Sequence, residues 1–414
     1  MKKSLLLLLI CNVMALSIHA QNQSCGTMEN WNKMKDKDPN AALRMEQLEI
    51  KTQKWIKENA GKYKTSSLIT IPVVVHVIYN ANEENISDAQ IQSQIDVLND
   101  DFRLLNTDSL SDTHPFWPDA ADCLIEFCLA LQDPNGNSTN GITRTMTNLT
   151  SFDNNGDEKF TSSGGKDNWD PTKYLNIWVC NLDGTGGTLG YATFPSDLTS
   201  IPEEDGVVID YRAFGTLGTA GTGGFNVNDL GRTASHEVGH WLNLRHIWGD
   251  AVCGDDFVSD TEPAEEPNYG CPSFPYNDFN SCGSGANGEM YMNYMVYVDD
   301  ACMVMFTFGQ SDRMDATLST ERSALLTSMG CSPATGIAKA DIQPAVVNLF
   351  PNPTTGNLTI EGAEGMVTVY DIYGRLVLVT NTNTLDISNA ADGIYFVRVT
   401  NKQGKIYVGK ILKE

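Results

Sequence analysis

Apolar residues along this chain follow two periods, and a few breaks in the pattern separate its parts. Lys2-Lys3 precede an apolar run, Leu5 to Ile10, and then Ser17-Ile18-His19-Ala20. This reads as an export signal cut after Ala20, because the run is short for a bilayer span and lacks a basic stop behind it. Gln21 to Ser67 is rich in Lys and Glu and helix-prone, most clearly over Ala41 to Lys57. Ile71 to Tyr79 is β-branched and predicts a central strand, with His76 as a core histidine. Ser87 caps a helix whose Ile91, Ile95, Leu98 and Phe102 fall at helical spacing. Further strands are predicted over Leu124 to Ala130, Tyr174 to Cys180, Thr188 to Thr193 and Val207 to Asp210. Another helix starts at Asn228 or Asp229. Cys253 to Cys302 is irregular, and Ser311 caps a closing helix to about Met329. Pro333 to Val347 reads as a linker. Beyond it, Met366 to Ile372, Arg375 to Thr380, Gly393 to Thr400 and Lys405 to Ile411 alternate between turn residues, as in a small β-sandwich.

A chain of 414 residues suggests two or three units. Its 52 acidic against 28 basic residues give a net charge of −24, which argues against nucleic acid or an anionic membrane as partner. No stretch after the signal is apolar enough for a transmembrane anchor. A lipid attachment at Cys11 is disfavoured because Ile10, not a small residue, precedes it. Gly215 to Gly224 is a flexible loop without a phosphate-loop lysine, so nucleotide binding is not expected. Export permits disulfides. Cys123 and Cys128 would point to opposite faces of one strand and so would not pair with each other.

Three of the six histidines lie in His236-Glu237-Val238-Gly239-His240-Trp241-Leu242-Asn243-Leu244-Arg245-His246. On a helix His236 and His240 share a face and can bind one metal. Glu237, rotated by about 100°, can reach a water there as general base. If the helix ran on, His246 would lie roughly 15 Å up the axis from His236. To share the metal, the chain must stop and reverse, which favours a residue with positive φ. Asn243 is the only residue in that interval suited to it.

This segment resembles the extended zinc signature of the metzincin metallopeptidases, with Asn243 in place of glycine. Leu244 to Asp250 narrows the resemblance to the pappalysin-like (cytophagalysin) family. The resemblance implies an α+β fold: a metzincin-type catalytic domain with a twisted mixed sheet, an active-site helix and an irregular C-terminal subdomain. It implies a zinc endopeptidase acting on proteins or peptides, with His236, His240 and His246 on Zn2+ and Glu237 as base. Asn293-Tyr294-Met295-Val296-Tyr297 looks like the family's Met-turn, with Met295 beneath the histidines and Tyr297 facing the zinc, where its phenol could hold an oxyanion. Gly190, Tyr191 and Ala192 correspond to the strand on which substrate adds in antiparallel sense. Ala301 to Gln310 corresponds to the wall of the S1′ pocket, with Met303, Val304, Met305 and Phe306. Cys25, in Ser24-Cys25-Gly26-Thr27, resembles a pro-segment cysteine that caps the zinc and keeps a precursor latent. Four cysteines of the irregular segment allow three connectivities. The resemblance implies Cys253–Cys282 and Cys271–Cys302. It also implies Ca2+ at Asp256, Val258 (by its carbonyl), Asp260 and Thr261.

Pro351-Asn352-Pro353, Gly374-Arg375, Gly393-Ile394-Tyr395 and the Lys-rich end resemble the C-terminal sorting domain of the type IX secretion system of Bacteroidetes. The expected parts are a signal over 1–20, a pro-segment over 21–67, a peptidase domain over 68–332, a linker over 333–347 and a sorting β-sandwich over 348–414. The expected location is outside the cell, secreted or at its surface, with the secretion machinery as a partner. Competing readings are a thermolysin-like site using a glutamate such as Glu262 in place of His246, a surface adhesion protein with a structural zinc, and a non-peptidase zinc hydrolase.

Overall fold

The computed structural model describes residues 24–60, 68–183, 187–277, 282–334, 345–362, 364–401 and 406–414. The expected signal over 1–20 lies outside the described residues. The chain forms two compact units, divided between Thr335 and Gly336.

The first unit is built on β2 (Ile69–Tyr79), an eleven-residue strand rich in Val and Ile. β3 (Ile125–Leu129) pairs in parallel with its first half and β4 (Ile142–Met146) with its second. On its other side lies β5 (Leu175–Cys180), then β7 (Val207–Asp210), both parallel. β6 (Thr188–Ala192) is antiparallel to β7, so the sheet is mixed. β1 (Ser24–Cys25), from the segment before β2, completes it beyond β6. Both faces of β2 are covered. Ile71, Val73, Val75 and Val77 pack into the main core, while Val74 meets Ala130 and Tyr174 on the other face. Each such aliphatic burial is worth about 1.5–3 kcal/mol.

Helix α3 (Asp88–Phe102) lies on the main-core face. Its N-cap Ser87 accepts from the Gln90 N–H at 3.1 Å, and Ile91, Ile95, Leu98 and Phe102 are buried. Two further helices, α1 (Thr27–Lys37) and α2 (Ala41–Asn59), precede β2. His76 is a core histidine, set between Thr143 Oγ1 at 2.7 Å and Asn176 Oδ1 at 3.0 Å.

Two helix boundaries differ from the expected ones. The active-site helix α4 spans Arg232–Trp241 and does not start at Asn228 or Asp229. Gly231, at φ +75°, is its N-cap, and the Asp300 carboxylate accepts from Leu230 N and Arg232 N. A distant carboxylate thus replaces the local cap. The closing helix α5 spans Phe308–Ser319 and is capped by Thr307, not Ser311. Thr307 and Gln310 form a reciprocal capping box, which satisfies two donors together. After Ser319 the chain turns, and buried Arg322 pairs with Asp205 at 2.8 Å and lies 3.8 Å above the Trp241 ring.

Among the described residues three disulfides staple this unit. Cys253–Cys282 and Cys271–Cys302 hold the irregular segment, and Cys128–Cys331 ties β3 to the end of the unit across 203 residues. Within that segment a short strand, β8 (Tyr269–Gly270), pairs with β9 (Tyr297–Val298).

The second unit is a two-sheet sandwich. One sheet runs β10 (Ala345–Val346), β17 (Ile406–Lys413), β16 (Gly393–Thr400), β13 (Met366–Asp371), β14 (Leu376–Thr380). The other runs β11 (Asn348–Phe350), β12 (Asn357–Glu361), β15 (Thr384–Asp386). Alternate residues of β16, Tyr395, Val397 and Val399, point inward with Leu358, Ile360, Val367 and Ile411. Among the described residues no helix is long and apolar enough to cross a membrane.

Candidate active site

Every residue of α4 is buried. The helix ends at Trp241, where the chain closes on itself. Asn243 N donates to His240 O at 2.9 Å and Leu244 N to Gly239 O at 2.9 Å. This pair of bonds is the helix-ending motif that needs a left-handed residue, and Asn243 sits there at φ +75°. The chain then runs back, and His246 returns to the helix.

The reversal brings three imidazoles together. His240 Nε2 lies 3.1 Å from His236 Nε2 and 3.1 Å from His246 Nε2. The opposite nitrogens are engaged: His236 Nδ1 with Tyr294 O at 2.7 Å, His240 Nδ1 with Leu244 O at 2.9 Å, and His246 Nδ1 with Asp250 Oδ1 at 2.6 Å. Carbonyls and carboxylates accept, so each Nδ1 carries the proton and each Nε2 presents a lone pair. Three lone pairs facing one point repel unless a cation lies between them. Burial above all lowers His236 to about 3 and pushes His240 well down, so neither of these two imidazoles takes a second proton to ease this. The donor set therefore fits a metal ion, and three nitrogens leave one position open.

Tight packing fixes the group. A Cβ on Gly239 would lie 2.6 Å from Met295 Sδ, so a larger residue there would push the Met295 side chain from its place beneath the helix. Met295 N is held by Asn293 Oδ1 at 2.9 Å, and Asn293 is held by Gln310. Trp248 stacks on His246 at 4.3 Å, and the Tyr297 ring lies 4.9 Å from His246 and 5.8 Å from His236.

Glu237 faces the same space. Burial raises its carboxyl to about 8, against bonds from Cys25 and Thr27 that act to lower it. Its Oε2 accepts from Thr27 Oγ1 at 2.8 Å and lies 3.4 Å from Cys25 Sγ. Cys25, His236, His240 and His246 place one donor atom each within 4.8 Å of one another. Cys25 is delivered by β1, which pairs in parallel with β6, and Gly26 N donates to Gly190 O at 2.8 Å. Ala192 N donates to Thr27 Oγ1 at 2.8 Å. Gly190 has no room for a Cβ: Ile209 Cδ1 and Val208 O would both be 2.8 Å away.

Tyr191 keeps its place in β6 between Gly190 and Ala192, and its fully buried side chain turns away from the cleft to bond buried Glu158, because alternate residues of a strand face opposite ways. Thr27 was not visible beforehand as a site residue. Its place beside Cys25 was the only hint.

The remaining nominated residues divide. Thr261 Oγ1 donates to Asp256 Oδ2 at 2.8 Å and to Val258 O at 3.1 Å, so these three meet. Asp260 instead gives both oxygens to the start of α5, to Thr307 Oγ1 and Gly309 N at 2.8 Å each. Burial raises Asp256 to about 7. Glu262 receives Gly285 N at 3.5 Å and is not part of the histidine cluster. A pocket beside Glu237 is lined by Leu189, Asn228, Thr233, Val296, Val298 and Met303 among others. Of the expected wall, only Met303 lines it. Phe306 packs on Phe102 and Tyr294 in the core.

Comparison with known proteins agrees with this geometry. The family described as Pregnancy-associated plasma protein-A matches residues 159–319, and the Secretion system C-terminal sorting domain matches residues 348–414. A promirolysin variant of Tannerella forsythia is 44% identical, with a TM-score of 0.65, over 73% of this chain and 97% of its own. Mirolysin in complex with a compound is 48% identical, with a TM-score of 0.60, over 65% and 100%. An extracellular metalloprotease of Coccidioides posadasii is 38% identical over 34% of this chain, and the match spans 48% of that relative, about half its length. This chain belongs to the pappalysin-like family of metallopeptidases, which implies a metal cofactor, and it ends in a sorting domain that directs it out of the cell.

Proposed function

We propose that the protein is a secreted zinc endopeptidase, made as a latent precursor, that cuts proteins or peptides bound along β6. The observation that carries this reading is the convergence of three imidazole Nε2 atoms beside a buried glutamate. His236, His240 and His246 would hold the zinc. When bound, zinc acidifies water and polarises a carbonyl as a Lewis acid.

The chain's own residues do the rest. Glu237, once freed from Thr27 and Cys25, takes a proton at its carboxylate from the attacking water and passes it to the leaving amine. The Tyr297 phenol donates a hydrogen bond to the oxyanion. Main-chain groups of Gly190 and Ala192, which hold the pro-segment in this structure, align substrate as an added antiparallel strand. The parallel course of β1 is the reverse of that direction, so the pro-segment sits in the cleft without presenting a bond to be cut. Cys25 supplies the sulfur that closes the fourth position. In this reading residues 21–67 form the pro-segment and 68–332 the peptidase domain. A calcium ion at Asp256, Val258 and Thr261 would answer the cost of burying the Asp256 carboxylate.

The test is cleavage of casein by processed protein with and without a chelator, beside Glu237→Gln. The variant should keep one zinc and lose roughly 100-fold or more in rate. Cleavage by Glu237→Gln at the wild-type rate would contradict the mechanism.

A further inference from the structure

Asn243, which reverses the chain, is gripped from behind. Its carbonyl accepts from Arg313 Nε at 3.3 Å and Nη2 at 3.1 Å, and its amide donates to Thr52 Oγ1 at 3.1 Å. Arg313 lies on α5 and its side chain is fully buried. The bonds to Asn243 O fix the plane of its guanidinium. The remaining edge of the fork is filled by Glu49 of α2, with Oε1 2.8 Å from Nη1 and Oε2 2.9 Å from Nη2. Arg245, whose guanidinium lies 4.7 Å above Phe257, brings Nη2 to 3.7 Å from the same carboxylate. Burial acts to raise the Glu49 carboxyl, but the bonds and charge of Arg313, a bond from Gln53 and the charge of Arg245 together hold it below its ordinary range. Asp255 and Asp256 are near enough for their charge to be felt at these arginines. Their own bonds go elsewhere, Asp255 to Phe257 N and Asp256 to Val258 N and Thr261 Oγ1.

A fixed guanidinium fork matches a carboxylate's two oxygens and has no such match with a halide. We propose that Arg313, with Arg245, is a carboxylate-binding site behind the turn that carries His246, filled in the precursor by Glu49, and that its occupancy sets how firmly the metal is held. The inference rests on the zinc reading above. The links are direct: carboxylate to Arg313, Arg313 to Asn243 O, and Asn243 to the turn that places His246. When the pro-segment leaves, the fork opens to free carboxylates and the turn also loses Thr52. Removal of the pro-segment then opens the cleft at the front and loosens the metal centre at the back.

The experiment measures zinc transfer from full-length precursor to a chromogenic chelator. Cys25 still closes the cleft there, so an added anion acts at the fork and not at the imidazoles. Glu49→Ala should release zinc about 10-fold faster than wild type. Sodium acetate should restore most of the difference, and sodium chloride at equal ionic strength should not. Release at the wild-type rate, or equal rescue by both salts, overturns the proposal. Should Glu49→Ala not accumulate in soluble form, Glu49→Gln carries the same comparison, with a smaller acceleration expected. A wild-type precursor that binds no zinc would instead refute the metal reading, and this inference with it.

Discussion

Thr27 donates its hydroxyl to Glu237 Oε2 at 2.8 Å while accepting the N–H of Ala192 at the same distance. One side chain thus occupies both the carboxylate proposed as the base and the strand proposed to align substrate. Cys25 approaches the imidazoles two residues earlier. In the proposed reading latency would have two components, a sulfur at the metal position and a hydroxyl at the base.

The two components predict different variants. Cys25→Ala should give a precursor that cleaves peptides or degrades itself. Thr27→Val removes one bond to a carboxylate, about 2 kcal/mol, and should raise the open fraction by roughly 30-fold while the sulfur remains. Peptidase assays on purified precursors check both. A Cys25→Ala precursor as silent as wild type would rule out the sulfur as the block.

The pocket beside His236 carries a specificity prediction. Asn228 lines it and keeps Oδ1 buried without a partner. Buried acceptors left without donors cost about 1–3 kcal/mol each. A Lys or Arg following the cut bond would supply donors, with its methylenes against Val296, Val298 and Met303. Peptides with a basic residue there should be cut about 10-fold or more faster, by kcat/KM, than those with Leu. Asn228→Leu should narrow the gap, and a preference for Leu in wild type would contradict the reading.

Much of the fold and site was legible in advance because the signals were local. The four-residue spacing of His236 and His240, the β-branched run of β2 and the Ser87 cap each reside in a few consecutive residues. Asn243 was identifiable because no other residue between His240 and His246 suits a left-handed turn. What was not legible depends on partners far along the chain. Gly231 could replace a side-chain cap only because Asp300 reaches it. The Cys128–Cys331 bridge spans 203 residues, and nothing near Cys128 indicates its partner. Strand alternation shows that Tyr191 and its neighbours face opposite ways, but not which way the cleft lies. The bonds of Asp260 were hidden for a related reason: only the folded chain shows that this carboxylate accepts from Thr307 and Gly309 at the start of α5.

His76 gives a pH prediction remote from the metal. Burial lowers its pKa to about 4, so the folded state keeps it neutral. The unfolded chain binds a proton below about 6.5 and the folded chain does not until about 4. The stability its neutral form contributes is therefore complete above pH 6.5 and lost as pH falls towards 4, about 3 kcal/mol in all. His76→Gln lacks this titration. In urea unfolding, the stability gap between wild type and His76→Gln should shrink by that order between pH 7 and pH 4.5. A gap independent of pH would show that the neutral imidazole is not what β2 buries.

The most direct test of the three-histidine centre is zinc content by mass spectrometry in His246→Ala and Glu262→Ala, each beside wild type. Wild type and Glu262→Ala should each hold one zinc per chain and cleave casein. His246→Ala should lose most of its zinc at micromolar concentration and all measurable cleavage. Full zinc in His246→Ala, or its loss in Glu262→Ala, would contradict the account.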